Sequence, residues 1–480
     1  MSGRASLIVI LGFSVVIGAA TRYWTWAGGQ AVSNITAYYY SGIAHNGATA
    51  AANLACDSIF QNNGDSTMSL TGTFPLGGTY KIATQMQQGY GKFRNCLITA
   101  TYSVQVRSDT TYIDTVQVLL TPYSFSRYAF YTTNDSGVNW TTGDTLTGPY
   151  QSNGSMNVTG VPVIKGPVSI GRQAYNSKTV GYPSVSWATW ESNKDTLKCT
   201  SFRNGVTDSM PNSFDTLYTI GDTTKVFTNS SNADTSHAYD VYLTFDTTNG
   251  GSVTETDTTR VHSYVKTDST YNSMTKKYTY TYAWIWSTVS STTKTKISIS
   301  SITNSKTGEG LILVNNGDAH VSGTVKGDIT VVANQPTTNY RQSYTSTQTS
   351  NSYFDFQTPT PVGNILIDGA LMYNNPTGSD MLGLVANNSV MLTNMVTSTV
   401  TIDAAIFALK GSFTYENYTT GSSLGYINLL GSISQYKRGP VGLVGGTGFL
   451  KNYKYDPRYR YISPPGFPLS HHYCVLSWRE

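Results

Sequence analysis

The side chains best suited to catalysis in this chain are acidic residues in its second half. They stand singly, mostly beside turn residues, and comprise Asp318, Asp328, Asp368, Asp380, Asp403 and Glu416. Hydrolysis of a polysaccharide requires two carboxyl groups about 5–10 Å apart. A single aspartate at a turn ordinarily accepts hydrogen bonds from nearby backbone instead. We therefore predict that these acids are structural and that the chain is not an enzyme.

The residue types that bind metals and cofactors do not fall into a recognised spacing. His471 and His472 are adjacent and would point to opposite sides of a strand, and His45 lies in an uncharged segment. The sequence holds no nucleophile-elbow, phosphate-loop or dinucleotide pattern in a strand–turn–helix context. The turn Asn315–Asp318 offers oxygen ligands for calcium, but the ordinary interpretation is a turn that bonds its own backbone. We predict no catalytic residue, no metal and no cofactor.

A basic and aromatic segment extends from Gln435 to Tyr461, and such interleaving can stack on nucleic-acid bases. Its members are Lys437, Arg438, Lys451, Lys454, Arg458 and Arg460 with Tyr436, Tyr453, Tyr455, Tyr459 and Tyr461. The net charge of the whole chain is only +4, and no block of basic residues occurs. We predict cation–π and tyrosine packing that caps a β-structure, and no nucleic-acid partner.

The composition indicates a surface of neutral hydrogen-bonding groups. Charged residues make up 12% of the chain and tyrosine occurs 35 times, whereas charged residues form about 25% of a typical globular protein. This balance is common in extracellular β-proteins.

In an oxidising compartment Cys56, Cys96, Cys199 and Cys474 can form two disulfides in any of three pairings. Buried thiols are the alternative.

The element that precedes all these groups is a long apolar segment. Residues Leu7–Ala20 are almost all apolar or small, and no Asp, Glu, Lys or Arg occurs after Arg22 before Asp57. A cleaved secretory signal and a simple membrane span, for which about 16 apolar residues is short, are alternatives. The uncharged continuation favours a helix that rests in a membrane and later packs into a fibre core. The predicted contact residues are Leu7, Ile8, Leu11, Val15, Gly18, Ala19, Trp24, Trp26, Tyr38, Tyr39 and Tyr40.

The rest of the chain has strand patterns. Asn95–Val106 alternates apolar and polar residues with period two, and Tyr112–Leu120 follows as a hairpin partner. After Gly310, strands of three to five residues alternate with Asn-Gly, Ser-Gly and Lys-Gly corners. Stacked as coils of a parallel β-helix, such strands cover one another's apolar sides. Leu382–Ala386 and Ala404–Leu409 are apolar throughout, as expected of doubly buried strands. A β-sandwich is the competing interpretation.

Between these β-helix parts lies a Thr/Ser/Tyr-rich insertion, about residues 175–308. One strand of it alternates aromatic residues with small ones and places Tyr278, Tyr280, Tyr282, Trp284 and Trp286 on one face. A second strand groups Tyr239, Val241, Leu243 and Phe245. We interpret the aromatic ladder as the core of the insertion; a sugar-binding platform or a subunit contact is the alternative. The low-complexity stretch Thr337–Ser352 is predicted to be a loop or disordered.

Several sequence segments resemble those of a family of bacterial prepilin-like surface proteins. The members of that family carry a C-terminal domain of unknown function and are related to pilus-associated minor pilins. The segments are PYSFSRYAFYTTND, GDTLTGPYQSNGSMNVTG, GPVSIG, GDAHVSGTVKGDITVVA, SDMLGLVA, TIDAAIFALKGSF, LLGSISQYKRGPVG, GFLKNYKYDPRYR and LSWRE. The resemblance covers the first helix, residues 122–171 and residues 310–480, but not the insertion. It implies a pilin-like helix ahead of a β-rich ectodomain.

The N-terminal sequence departs from the type IV pilin pattern. Those pilins are cleaved after a glycine and have glutamate as the fifth mature residue. Here Gly3 is followed by Arg4, and the fifth residue after the glycine is Ile8. This difference puts in doubt both processing after Gly3 and the usual charge pairing between neighbouring helices.

Taken together, these patterns predict a mainly β protein. We expect a long N-terminal hydrophobic α-helix, a right-handed parallel β-helix and a Thr/Tyr-rich β insertion. The expected segments are an assembly helix (1–60), a β segment (61–142), first β-helix coils (143–174), the insertion (175–308), the main β-helix (309–446) and a capping tail (447–480).

The function predicted from the sequence is that of a structural subunit of an extracellular, pilin-like filament. Its partners would be further copies of itself and, before assembly, the inner membrane. The alternatives are a minor pilin or adhesin that binds glycans or surfaces through the insertion, and a β-helix polysaccharide-active enzyme. We place the protein at the cell surface.

Overall fold

A computed structural model describes most of the chain. The described residues are 2–61, 68–75, 77–88, 94–107, 109–135, 137–171, 198–211, 224–228, 237–248, 250–293, 297–299, 309–335, 341–342, 360–443 and 446–480. Most of the predicted low-complexity stretch Thr337–Ser352 and large parts of the insertion lie outside them. The described residues form two compact units, which are treated separately below: residues 1–89, 93–122 and 471–480, and residues 90–92 and 123–470.

One α-helix and thirty strands make up the regular structure of the described residues. The helix, α1, spans Ser2–Gln61. The strands in chain order are β1 Ser69–Thr73, β2 Thr79–Gln88, β3 Arg94–Arg107, β4 Thr110–Ser124, β5 Phe130–Asn134, β6 Trp140–Thr141, β7 Thr145–Thr147, β8 Tyr150–Ser152, β9 Val158–Thr159, β10 Val163–Ile170, β11 Cys199–Asn204, β12 Thr224–Thr228, β13 His237–Phe245, β14 Ser252–Asn272, β15 Lys277–Thr293, β16 Ile297–Ser298, β17 Glu309–Asn315, β18 Asp318–Val325, β19 Asp328–Asn334, β20 Arg341–Gln342, β21 Thr360–Pro361, β22 Ile365–Tyr373, β23 Met381–Ala386, β24 Val390–Leu392, β25 Val400–Ala408, β26 Phe413–Tyr415, β27 Ser423–Lys437, β28 Gly442–Leu443, β29 Thr447–Tyr455 and β30 Leu469–Arg479. Short 3₁₀ helices span Phe125–Arg127 and Pro457–Arg460. The prediction of a mainly β chain behind a long apolar helix is confirmed.

Helix α1 is continuous because nothing in its sequence interrupts it. It contains no proline, and Gly28 and Gly29 lie in the middle of an unbroken helix. Of the described helices, α1 alone is long and apolar enough to cross a membrane, with a mean hydropathy of 1.9 over its most apolar 18 residues. A signal sequence passes the same test of length and composition.

The last third of α1 packs on a five-stranded sheet of order β1-β2-β3-β4-β30. β2, β3 and β4 pair antiparallel, with Cys96 of β3 opposite Leu120 of β4. The predicted alternation in β3 is confirmed, since its inward side chains are buried against the helix while their neighbours are more exposed. The helix contributes mainly alanines to this core: Ala44, Ala48, Ala51, Ala52, Ala55, Cys56 and Ile59.

The larger unit is organised by parallel strand pairing. One series runs β12-β17-β19-β23-β25-β27-β5-β8-β10-β11, with each strand parallel to the next. A second series is β13-β18-β22-β24-β26, and a third links β22, β25, β27, β29, β7 and β10. These series belong to one closed barrel.

The interior of this unit is an in-register column of apolar side chains. Each member lies directly opposite the next in the first series, and all are buried: Ile312, Val331, Leu384, Ile406, Ile433, Phe130, Tyr150 and Val168. The apolar runs Leu382–Ala386 and Ala404–Leu409 are buried throughout, as predicted. The column joins residues about 300 positions apart, since Ile433 pairs with Phe130. Residues 447–480, the predicted capping tail, divide between strand β29 of this barrel and strand β30 of the antiparallel sheet.

The insertion contains a long antiparallel hairpin made of β14 and β15. The prediction that its aromatic ladder forms a core is wrong for Tyr278 and Tyr280, which are 57% and 48% exposed. The side chains of Tyr282, Trp284 and Trp286 lie outside the described part. The second set, Tyr239, Val241, Leu243 and Phe245, which the sequence placed on one side of a strand, is buried.

Two helix glycines give a matched test of the α1–sheet contact. A Cβ atom on Gly47 would collide with the Tyr102 ring, whereas one on Gly42 would meet nothing within 4 Å. We expect Gly47→Ala to lower the free energy of unfolding by about 1–3 kcal/mol through overpacking. Gly42→Ala should be neutral or stabilising by up to about 1 kcal/mol, because alanine favours helix. Urea unfolding in detergent measures both, and equal effects would contradict this packing.

Candidate functional site

The candidate site is the part of α1 that no other described residue covers. Residues 3–26 are all exposed, and the first fully buried helix residue is Ala44. The exposed fractions of the predicted contact residues are high: Leu7 62%, Ile8 70%, Leu11 59%, Val15 65%, Trp24 73%, Trp26 62%, Tyr38 85% and Tyr39 62%. Gly18 and Ala19 are exposed too. Of the predicted contact residues only Tyr40 is partly buried, because its ring stacks on that of Tyr112 with centroids 5.9 Å apart.

Two arginines divide the exposed part of α1. Between Arg4 and Arg22 lie seventeen uncharged residues, or about 26 Å of helix at 1.5 Å per residue. The hydrocarbon core of a bilayer is about 30 Å thick, and arginine side chains extend towards its surfaces. Tyr23, Trp24 and Trp26 come directly after Arg22, in the place where membrane proteins concentrate aromatic residues. This spacing fits a membrane core with one arginine at each boundary.

The hydroxyl groups of this segment are bonded within the helix. Ser14 donates to the carbonyl of Ile10, Thr21 to that of Ile17 and Thr25 to that of Thr21, each at 2.8 Å. A hydroxyl without a partner is costly in lipid, and these bonds remove that cost. The polar side chains therefore leave the segment compatible with an apolar surrounding.

The second part of the exposed helix, residues 23–43, adds about 32 Å beyond the arginine boundary. It contains no Asp, Glu, Lys or Arg. A helix that faces water normally carries a charged or strongly polar face, and this one carries only Gln30, Asn34 and a few hydroxyls among apolar and aromatic residues. This composition suits contact with other protein.

A polar cluster marks the point where α1 meets the sheet. His45 Nδ1 lies 2.9 Å from Asp114 Oδ2 of β4, and His45 Nε2 lies 3.7 Å from Glu480 Oε2. In the sequence His45 lies in an uncharged segment. In the structure the carboxylates of Asp114 and Glu480, which are distant in sequence, lie beside it. From this cluster onward the helix is fixed to the sheet.

Most of the acids considered for catalysis bind backbone instead. Asp318 accepts from Asn364 N, Asp380 from Gly327 N and Asn375 N, Asp403 from Tyr373 N and Glu416 from Asn394 N. The predicted structural role is confirmed for these four acids. Asp328 and Asp368 are not among them. Burial and then the neighbouring Glu309 raise the pKa of Asp328 well above its ordinary value.

Asp368 belongs to an ionic cluster that the sequence did not indicate. His320 Nδ1 lies 2.7 Å from Asp368 Oδ2, and His320 Nε2 lies 3.9 Å from Asp240 Oδ1. The three residues lie on the adjacent parallel strands β22, β18 and β13, and the Tyr242 ring stacks on the imidazole at 4.3 Å. Only knowledge of which strands pair could have brought them together.

The electrostatics of this cluster favour a charged histidine. Burial alone would lower the pKa of His320, but hydrogen bonds and charge from Asp240 and Asp368 outweigh it and raise the pKa to about 9. His320 is therefore an imidazolium at neutral pH, held between two carboxylates. It is poorly suited to act as a general base, which needs a pKa near the operating pH.

The basic and aromatic segment forms buried ion pairs inside the larger unit. Arg438 binds Asp135 at 3.1 Å and Lys451 binds Asp144 at 2.7 Å. The Arg438 guanidinium lies 4.4 Å from the centre of the Trp140 ring, and that of Arg458 lies 5.0 Å from the Tyr373 ring. The predicted cation–π packing is confirmed for these two arginines.

The outer end of the β14–β15 hairpin is a second exposed surface. Every residue from 268 to 281 is exposed, and Met274 in the turn is 95% exposed. Asn272 Oδ1 accepts from the backbone N–H groups of Met274 and Thr275, which fixes the turn. The rings of Tyr271 and Tyr278 lie 4.9 Å apart across the strands. We call residues 268–281 the hairpin tip.

Among the residues that the structure describes, no group of three or more His, Cys, Asp or Glu side chains has the arrangement of a metal site. The turn Asn315–Asp318 considered for calcium instead directs Asp318 to Asn364. Comparison with known proteins adds no assignment: no protein-family profile, curated protein or solved structure matches this chain.

The His320 cluster predicts a specific dependence of stability on pH. Because the folded pKa is raised above its ordinary value of 6.5 to about 9, the stabilisation is complete below about pH 6.5 and is lost as pH rises through 9. The loss amounts to at most about 3 kcal/mol. Unfolding measured from pH 7 to 9.5 should show this decline in the wild type. His320→Gln, which cannot ionise, should lack it, and an unchanged slope in the variant would contradict the assignment.

Proposed function

We propose that this protein is a structural, non-enzymatic subunit of an extracellular, pilin-like filament and that α1 assembles it. The observation that carries the proposal is the uncovered apolar surface on all sides of α1 from residue 3 to residue 26. Such a surface is unstable in water and favours a site in lipid or among other apolar helices.

Before assembly, the inner membrane would hold the segment between Arg4 and Arg22. Its length of about 26 Å approaches the thickness of the hydrocarbon core, and the aromatic residues after Arg22 suit the outer interface. Residues 23–43 then lie outside the lipid. Their lack of charge calls for protein contacts at this stage as well.

On assembly, α1 would exchange lipid for neighbouring copies of itself. Burial of apolar surface contributes about 25 cal/mol per Å², and each copy adds its contacts to those of the others. Gln30 and Asn34 lie one helical turn apart on the same face. Their amides can bond across helices and set the register, a role that the charge pairing at position five performs in type IV pilins and that Ile8 cannot perform here.

The two parts of α1 support the same proposal. The exposed part presents apolar surface, while the last third is fastened by small residues to an antiparallel sheet. One helix thus carries both the assembly surface and the attachment of the β-rich remainder of the chain after α1, which we call the head. This division resembles the pilin arrangement implied by the quoted sequence segments. It lets helices pack centrally while the heads remain outside.

For the larger unit we propose a right-handed parallel β-helix. Three series of parallel pairings and an in-register apolar column support it. Successive column positions Leu384, Ile406 and Ile433 are 22 and 27 residues apart in the printed sequence, a length suited to one coil of short strands and corners. Parallel crossover connections are nearly always right-handed.

A charge placed in the exposed part of α1 tests the filament proposal. We expect Leu11→Asp and Val15→Asp to abolish filaments on electron micrographs, because a buried aspartate without a partner is costly. The heads should keep wild-type unfolding behaviour, because neither side chain contacts the sheet.

A matched control for these variants is Ile113→Asp. Ile113 is 63% exposed on β4, so it resembles Leu11 in type and exposure but lies on the head. Filaments should persist in this variant. The proposal fails if Leu11→Asp and Val15→Asp still form filaments.

A second candidate function is adhesion to glycans or surfaces through the hairpin tip. The exposed rings of Tyr271, Tyr278 and Tyr280 favour it, because exposed apolar patches of this kind commonly mark interaction sites. The Tyr278 and Tyr280 rings are within 9° of parallel, with centroids 6.1 Å apart. Lys276 and Lys277 place positive charge beside them.

Replacing Tyr271, Tyr278 and Tyr280 together by serine separates adhesion from assembly. We expect saturable binding to glycan arrays or host surfaces to fall at least tenfold while filaments form normally. Tyr426→Ser, at a tyrosine that is 41% exposed elsewhere on the larger unit, should leave binding intact. Undiminished binding by the triple variant would rule out the hairpin tip as the adhesive surface.

A further inference from the structure

Two free cysteines belong to the core that forms where α1 packs on the antiparallel sheet. Cys56 of α1 is 7% exposed and Cys96 of β3 is 0% exposed, and both belong to the same buried cluster. On β3, Cys96 shares the inward face with Ile98 and Ala100, since alternate residues of a strand point the same way. On α1, Cys56 lies between Ala52 and Ile59, which are buried in that cluster.

The contact surface allows the helix to approach the strand closely. Alanines dominate the helix face, and Gly47 lies so near the Tyr102 ring that a Cβ would collide with it. A disulfide needs Cα atoms about 4.4–6.8 Å apart, and a helix reaches that distance from a sheet only where its side chains are small. The Ala/Gly face of α1 supplies this condition.

The Cys56 thiol also acts electrostatically on the Cys96 thiol. Burial, together with the nearby Cys56, raises the pKa of Cys96 to about 11, and burial raises that of Cys56 to about 11. A charge effect of this kind requires the groups to be near neighbours.

The other two cysteines are placed elsewhere. Cys199 begins β11 in the larger unit. Cys474 lies on β30 and is only partly buried, and it is not among the residues of the core that holds Cys56 and Cys96. Of the three pairings that the sequence leaves open, only the one that joins Cys56 to Cys96 keeps both sulfurs in one core.

We propose that Cys56 and Cys96 form a disulfide that staples α1 to β3. The step removes two protons and two electrons from the pair of thiols, and a small disulfide such as oxidised glutathione accepts them and becomes two thiols. That the bond is present in the native protein rests on the proposed extracellular location. The staple would transmit tension from the helix to the head and close a loop over residues 57–95.

Peptide mapping of the full-length protein tests the pair directly. Protein extracted from whole cells is alkylated without reductant, digested and analysed by mass spectrometry. We expect a linked Cys56–Cys96 peptide, retained in Cys199→Ser and lost in Cys56→Ser. A parallel sample is reduced and then incubated with oxidised glutathione in detergent at pH 9. It tests whether the two thiols can bond in the folded protein, independently of the compartment in which the protein is found.

The outcomes are distinct. A linked peptide in both samples supports the staple and the oxidising compartment. A link formed only with glutathione supports the pair and contradicts the extracellular location. Thiols alkylated in both samples, or a link that joins other cysteines, overturn the proposal.

The raised pKa values add a kinetic check. The rate of linking in folded protein should rise about tenfold per pH unit between 7 and 9, because the reactive thiolate is scarce.

Discussion

The exposed apolar surface of α1 is the constraint on which the account of this protein depends. A single helix of 60 residues carries three charged side chains, Arg4, Arg22 and Asp57, and two of them bracket a stretch of membrane length. Water cannot solvate such a surface at low cost, so each stage of the protein's life needs another apolar phase around it. Lipid suits the first part of the helix, and neighbouring helices suit both parts.

Helix α1 changes from large to small side chains where it reaches the sheet, and this change in size explains how the two pack. Up to Tyr39 its large apolar residues are exposed. From Ala44 onward alanines and Gly47 let β3 approach closely. The His45–Asp114 contact lies at this transition. Small residues hold the helix on the sheet, and the bulky apolar residues stay exposed. In the proposed filament, assembly and folding would use different parts of one element.

Local composition was sufficient to predict the helix and the buried runs Leu382–Ala386 and Ala404–Leu409, and local periodicity was sufficient to predict the alternation in β3. It was insufficient wherever distant strands decide the neighbours. The pairing of Ile433 with Phe130 and the meeting of Asp240, His320 and Asp368 depend on register across parallel strands, which single-sequence patterns do not encode. Tyr278 and Tyr280 alternate like core residues, yet they are about half exposed on the two-stranded hairpin tip.

Cryo-electron microscopy of the native surface material, with helical reconstruction, tests the central claim most directly. We predict filaments in which residues 23–43 of each α1 are enclosed by α1 helices of neighbouring copies, with the β-rich heads outside. Monomeric particles whose α1 is clipped off, or lies in solvent beside the head, would contradict it.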